Sequence, residues 1–308
     1  MSDKETFSDI SLRLLEIFAA MMRCSTTVET AEHLKISQPA VSSSLRQLET
    51  QLGITLFTRT GRRLQPTPEA QELYSEIQPM FGIVRSFTTR AQDLRIGRRG
   101  RLRVMATPPL GYSVGPVALR NLTASRPEAT ISYDVRRLEN VVQAVSTGQA
   151  DIGLVLNAER IETVNSDLLQ RRNMVVLMPE DHPLAASETV TPESLMPYPL
   201  IGIDVASQLG RLLKVGFDVS GMPYAPRIDV RYCQTAAALV ASGMGVTVVD
   251  PYSAAPYLGR GLITRPFMPV REVSAVMLTR KGVPHSAILS SFMEELRRVV
   301  ETASLGLA

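Results

Sequence analysis

The sequence predicts an α/β protein in two parts: an N-terminal helix-turn-helix unit leading into one long helix, then two linked α/β halves. Three observations carry this expectation. Residues 36–53, ISQPAVSSSLRQLETQLG, space Val41, Leu45, Leu48 and Leu52 by four, three and four, which puts them on one face of a helix. Residues 70–94 then hold a 3-4-3-4 apolar repeat for more than three heptads. From Leu102 onward, short apolar strands alternate with helical stretches, the pattern of α/β layers.

The bulk properties set limits before any element is placed. With 308 residues, 44% hydrophobic and 20% charged, the chain has the length of two or three ordinary globular domains. Its net charge of +3 says little. Between Lys35 and Arg63, however, five basic residues meet one acid, Glu49, a local patch that suits either nucleic acid or a solvated face. Cys24 and Cys233 lack CxxC partners, which argues against a disulfide framework or a zinc site. The opening MSDKETFSDI is polar and has no apolar core, so it is not a signal peptide. No run approaches the roughly 20 apolar residues of a membrane span. The expected location is the cytoplasm, with no membrane partner, no cofactor and no metal.

The elements follow in order. Leu12, Leu15, Phe18, Ala19 and Met22 mark the expected buried stripe of a first helix. A second, short helix spans Val28 to Leu34 with Thr27 as N-cap. Ser37 caps the third, Pro39 falls in its first turn and Gly53 suits its end. Opposite the apolar face of the third helix lie Ser43, Arg46 and Thr50, with Ser42 and Gln47 at the edges. Two helices joined by a short turn, the second with a small, hydroxyl-rich, basic face, form the helix-turn-helix unit. Its recognition helix enters the major groove N-terminus first. Short serines let that helix sit deep and bond to bases or phosphates, and Arg46 reaches either a phosphate or a guanine. TRTGRRLQPT then predicts a hairpin with Gly61 at its tip, placing Arg59, Arg62 and Arg63 for backbone or minor-groove contacts.

The stretch AEHLKISQPAVSSSLRQLETQLGITLFTRTGRR and the long helix after it resemble the LysR-type transcriptional regulators. The motifs SQPAVS and LE..LG..LF.R carry the resemblance over about sixty residues. It implies double-stranded DNA as a partner and a winged helix-turn-helix over residues 1–67. In that family the residues matching Gln38, Pro39, Ser42 and Ser43 face the bases, beside Ser37. Many members have Arg or Lys where this chain has Ser43, so base reading there is expected to differ.

Thr67, Pro68 and Glu69 signal a helix start. Ala70, Leu73, Ile77, Met80, Val84, Phe87, Ala91 and Leu94 then define an a/d seam for two paired helices. The resemblance agrees that this linker, residues 68–96, joins two copies of the chain, and it implies a tetramer and RNA polymerase as a further partner. Pro79 predicts a kink or a break into two shorter helices. Residues 97–101 are expected as a hinge.

From Leu102, LRVMA, TISYDV and DIGLVL alternate with helices over Val114–Ser125 and Leu138–Ser146. MVVLM, LIGI, RIDV and VTVVD alternate with helices over Ser207–Val215 and Thr235–Ala241. The chain returns through VSAVMLT to a last helix after His285. A mainly parallel sheet is expected. STGQADIGLVL, PEDHPLA and SGMGVTVVDP resemble the family's two-lobed, periplasmic-binding-protein-like effector domain. It would occupy residues 102–308, with one lobe about 102–170 and 270–308 and the other about 171–269. Strand ends and the family nominate Thr107, Pro108, Asp204, Gln234, Thr235 and Asp250 for a small-molecule effector. Thr235 and Asp250 could equally cap their own helices. VVDP and PTPEAQELYSEIQ resemble the branch that senses opines and basic amino acids, which implies a zwitterionic effector.

Two rival classes, an enzyme and a solute-binding protein, explain the sequence less well. An enzyme would need machinery that is missing: there is no HExxH, GxSxG or P-loop, and GMGVTV only half-matches a dinucleotide fingerprint. His33, His182 and His285 stand apart without catalytic partners. A secreted solute-binding protein would explain the α/β halves but not the helix-turn-helix.

Overall fold

A computed structural model of the chain describes residues 10–24, 26–60, 63–95 and 100–302, which fall into two compact units, residues 1–85 and 86–308. In the first unit, α1 (Leu12–Met21), α2 (Thr27–Leu34) and α3 (Gln38–Leu52) precede a two-stranded ribbon of β1 (Phe57–Thr60) and β2 (Arg63–Pro66). Side-chain caps start each helix. Ser11 accepts from Leu14 N–H, Thr26 from Glu29 N–H and Ser37 from Ala40 N–H, satisfying donors that have no partner inside the helix. Thr26 takes the cap expected of Thr27, because Thr27 is already helical. Gly53 ends α3 at φ +70°, a left-handed position that glycine adopts without strain.

The core of this unit joins Val41, Leu45 and Leu48 of α3 to Leu14, Ile17, Phe18 and Met21 of α1. This corrects the expected stripe of α1. Leu12 is 48% exposed and Leu15 and Met22 are only half-buried. The α1 helix is apolar on most sides, so its spacing alone does not choose a face; packing against Phe57 and Tyr74 does.

Helix α4 (Pro68–Arg95) begins where Thr67 Oγ1 accepts from Ala70 N–H at 3.2 Å. It runs uninterrupted through Pro79, so the expected break into two helices does not occur. A proline removes one backbone bond and leaves the neighbouring ones to hold the helix. Ala70, Leu73, Tyr74 and Ile77 pack into the N-terminal core. Farther along, Ile83, Val84 and Phe87 are exposed, Phe87 by 73%. Most of residues 97–101 lies outside the described residues.

The second unit carries two five-stranded sheets. The first orders β4 (Thr130–Val135), β3 (Arg101–Ala106), β5 (Ile152–Leu156), β12 (Glu272–Arg280) and β6 (Val164–Asn173) side by side. The second orders β9 (Ile228–Val230), β8 (Leu200–Ile203), β10 (Val246–Val249), β7 (Val175–Pro179) and β11 (Leu262–Pro266). Each has the same plan, three parallel strands and then two more joined on by antiparallel pairings. The sheets are therefore mixed, not mainly parallel. The chain crosses from one to the other between β6 and β7 and returns between β11 and β12, and these crossing strands run against their neighbours.

Helices cover both faces of the first sheet. Ile152, Leu154, Ala275 and Met277 turn toward α5 (Pro108–Gly111), α6 (Val114–Ser125) and α12 (Ala287–Thr302). Val155, Val276 and Leu278 turn toward α7 (Leu138–Ser146), as the period of two in a strand requires. The second sheet packs against α8 (Pro192–Leu195), α9 (Gln208–Val219), α10 (Cys233–Ala241) and α11 (Pro251–Ala254). The GMG sequence is structural. Gly243 sits at φ +76° after α10, and a Cβ on Gly245 would lie 2.0 Å from the Pro199 carbonyl oxygen.

Candidate functional site: a nucleic-acid face and an interlobe cleft

On the first unit, α3 exposes Gln38, Pro39, Ser43, Arg46, Gln47 and Thr50, with Ser37 at its start and Ser42 half-buried. Gln38 donates from Nε2 to Thr27 Oγ1 at 3.1 Å and to Ser42 Oγ at 3.0 Å, tying the starts of α2 and α3 together. The Arg46 side chain projects from the same face without a hydrogen bond among the described residues. Glu49, the acid that interrupts the basic patch, turns inward. Its Oε1 accepts from the backbone N–H of Leu56 at 2.8 Å and of Phe57 at 3.2 Å, where the ribbon begins. The face is thus left with hydroxyls, amides and a guanidinium. Arg59 and Arg63 fall on the paired strands, with Arg59 opposite Leu64 and Thr60 opposite Arg63. Arg62 and the tip at Gly61 lie outside the described residues.

In the second unit, a cleft of about 670 Å³ opens between the two sheets at strand ends and helix starts, and a hollow of about 730 Å³ adjoins it. Thr107 lines the cleft, Pro108 and Gln234 line both spaces, and Thr235 lines the adjoining hollow. The Thr107 hydroxyl is turned to the Leu154 carbonyl at 3.4 Å. Asp204 does not reach the cleft wall. Its Oδ1 accepts from Ala206 N–H at 2.8 Å and its carbonyl accepts the Ser207 hydroxyl at 2.7 Å, shaping the loop ahead of α9. Asp250 is fully buried and caps α11 by accepting from Ser253 N–H, so the capping alternative describes where it sits. Burial raises its pKa above the usual carboxylate value, against the lowering effect of its hydrogen bonds to Ser253 and Cys233.

The charges of the cleft come from residues that strand-end reasoning missed. Arg137, Arg160, Arg211 and Arg231 line it with Glu139 and Glu159. Arg211 is partly engaged by the Ala206 carbonyl at 2.7 Å. Glu159 is paired with Arg171 at 3.2 Å, and hydrogen bonds from Ser274 and Arg171 hold its pKa below the ordinary value. The side chains of Arg137, Arg160, Arg231 and Glu139 make no hydrogen bond or salt bridge among the described residues, although Arg160 acts on Glu159 through its charge. The helices add to the positive character. Neither α7 nor α10 has a side-chain cap at its start, where Arg137 and Tyr232 stand, so the first N–H groups remain open to an anion.

Among the described residues that line the cleft, one side-chain hydrogen bond joins its two walls. Gln208, the first residue of α9, donates from Nε2 to the Asn157 carbonyl after β5 at 3.1 Å. Asn157 is held for this at φ +53°, with its Oδ1 accepting from Ser274 N–H and its own N–H bonded to the Ser274 carbonyl, each at 2.8 Å. Asparagine is among the few residues that take this left-handed conformation readily. Among the described residues no cluster of three His, Cys, Asp or Glu could hold a metal, and no helix is long and apolar enough to cross a membrane.

Comparison with known proteins gives this geometry its context. Residues 12–71 match the bacterial regulatory helix-turn-helix proteins of the lysR family, and residues 95–301 match the LysR substrate binding domain. The regulatory protein NocR of Agrobacterium fabrum is 30% identical over 289 residues, covering 93% of this chain and 96% of NocR. The octopine catabolism/uptake operon regulatory protein OccR of Rhizobium meliloti is 26% identical, covering 84% of this chain and 85% of its own. Among solved structures, CbnR, a LysR family transcriptional regulator, aligns with a TM-score of 0.62 at 19% identity, over 94% of this chain and 99% of CbnR. These relatives are named as regulators, and none of the three as an enzyme. With a helix-turn-helix at one end and an effector-binding domain at the other, the chain belongs to the LysR family of ligand-responsive, DNA-binding transcriptional regulators.

Proposed function

We infer that the effector is a small amphoteric molecule, amino-acid-like or opine-like, held in the interlobe cleft. The observation that carries this is the set of charges there without a salt bridge among the described residues: Arg137 and Arg231, with Arg160 beside them, against Glu139. Unpaired arginines favour carboxylates, which they grip through paired N–H groups. The open starts of α7 and α10 favour the same groups. Glu139 supplies the site for an ammonium or guanidinium. A related protein named for octopine supports the class, since octopine carries two carboxylates, an amine and a guanidinium.

On DNA, α3 presents Ser37, Gln38, Pro39, Ser42, Ser43 and Arg46 to the major groove, and the ribbon brings Arg59, Arg62 and Arg63 to the backbone. Residues 1–67 form the DNA-binding domain and 68–96 the linker. The exposed Ile83, Val84 and Phe87 of α4 pair with the same residues of a second copy, and two such dimers form a tetramer in the cytoplasm. Effector binding biases one lobe arrangement by its differential affinity, and so changes the geometry offered to DNA and RNA polymerase.

The experiment is a thermal-shift screen of the full chain against octopine, L-arginine and glutarate, repeated with Arg137→Ala and Arg231→Ala. Stabilisation by octopine or arginine, lost in both variants, is the expected result. Stabilisation by glutarate alone would retain the cleft and discard the amphoteric class.

A further inference from the structure

Asp250, Ser253 and Gln234 form a chain of hydrogen bonds with a defined direction. Asp250 Oδ1 accepts from Ser253 N–H at 2.8 Å, and Oδ2 accepts the Ser253 hydroxyl at 2.6 Å. Two donors converging on one carboxyl group favour its ionised form, against the burial that raises its pKa. A serine hydroxyl has a single proton, and here Asp250 takes it. Only lone pairs remain on Ser253 Oγ for Gln234, whose Nε2 lies 2.8 Å away. The amide must therefore turn its N–H₂ edge to Ser253. Its Oε1 is left on the other edge, buried and without a donor among the described residues, in a residue that lines both the cleft and the adjoining hollow.

The geometry points to Gln234 as a specificity-determining residue: a fixed hydrogen-bond acceptor, oriented by Asp250 through Ser253, that selects effectors placing an N–H-bearing nitrogen beside it. This deepens the amphoteric reading and rests on it. A freely rotating glutamine could serve a carboxylate or an amine equally well. One whose donor edge is occupied cannot, and an effector oxygen placed there would meet an acceptor. Asp250 is a positioning residue here and never meets the effector. A buried acceptor that gains its missing donor only from the right ligand discriminates strongly against analogues without that donor.

Titration calorimetry on the full chain tests this with octopine, L-arginine and glutarate, the last offering acceptors only. Gln234→Met keeps the length of the side chain and removes the acceptor. It should weaken octopine and arginine roughly tenfold and leave glutarate unchanged. Asp250→Asn should reverse the chain. The introduced carboxamide would donate to Ser253 Oγ, the serine proton would pass to Gln234, and the glutamine amide would turn N–H₂ toward the cleft. Nitrogen ligands should then weaken and glutarate should gain. A merely structural role would weaken all three ligands together. Gln234→Met within twofold of the parent for octopine or arginine would overturn the assignment. If the parent binds neither, the amphoteric reading fails by itself. Neutron diffraction from a full-chain crystal exchanged into D₂O then decides the amide: deuterons facing Ser253 uphold the assignment, and deuterons facing the cleft overturn it. The neutron measurement also serves if Asp250→Asn does not fold.

Discussion

Glu49→Ala removes the one acid on the recognition helix, and with it the acceptor for two backbone donors at the start of the ribbon. Leu56 and Phe57 are both buried, so water is poorly placed to take over. A hydrogen bond to a charged group contributes about 1.5–3 kcal/mol, and stranding a buried donor costs about 1–3 kcal/mol. The Leu56 contact at 2.8 Å falls within that range, while the 3.2 Å contact to Phe57 is weaker. Together they give a loss of about 2–3 kcal/mol for Glu49→Ala. Glu49→Gln keeps an acceptor and loses the charge, so about 1 kcal/mol is expected. The chain has no tryptophan, which makes hydrogen exchange followed by mass spectrometry the suitable assay. If these amides exchange by local opening, those of Leu56 and Phe57 should exchange about 30- to 150-fold faster in Glu49→Ala. Glu49→Gln should show about fivefold. DNA affinity should fall alike on all sequences, because the ribbon loosens while the base-facing residues stay in place. Unchanged exchange at both amides in Glu49→Ala would refute the anchoring role.

Three further outcomes are expected. Arg46→Ala should cost about 1–3 kcal/mol of DNA affinity and relax preference at one base pair if it reads a base; equal loss on all sequences, with a shallower salt dependence, would mark a phosphate contact instead. If α4 pairs with a second copy as proposed, Phe87→Glu should shift sedimentation toward monomer, because it places a charge in an apolar seam; an unchanged dimer would move the pairing surface elsewhere. Gln208→Ala should release the side-chain hydrogen bond to Asn157 across the cleft and shift the lobe equilibrium by about 0.5–1.5 kcal/mol. Small-angle scattering without effector would show a larger radius of gyration, and an identical curve would deny Asn157–Gln208 any role as a latch.

The readability of this chain follows the range of the interactions involved. Helix α3 is legible because Ser37, Pro39, Val41, Leu45, Leu48 and Gly53 act within one element. The ribbon is legible for the same reason. The face of α1 is not, since an almost wholly apolar helix leaves the choice to its neighbours. Strand β6, VNSDLLQRRN, gives little sequence signal because an edge strand needs little apolar alternation. Strand direction differs from the expectation because periodicity reports burial and is silent on parallel or antiparallel pairing. Among the pocket residues, Thr107, Pro108 and Gln234 are reachable from strand ends and helix starts. Arg137, Arg160 and Arg231 stand just before or between such elements, and only the fold brings them together. Asp204 and Asp250 occupy strand ends as expected, yet both are taken up by local backbone donors. An aspartate followed closely by a proline or a serine is as good a cap as a ligand, and that local signal carries the greater weight.

The first sheet is completed by β12 and braced by α12, both from the last stretch of the chain, while the DNA-binding unit uses only the first 85 residues. Synthesis from the N-terminus therefore separates two competences in time. The segment that recognises an operator can fold while the remainder is still on the ribosome. The lobe that carries Thr107, Arg137 and Asn157 lacks the antiparallel strand between β5 and β6 until residues 272–280 have been made. A chain broken before residue 272 would keep the unit that recognises an operator and lose β12 and α12, leaving a protein able to occupy DNA and deaf to its signal, a fixed block in place of a switch.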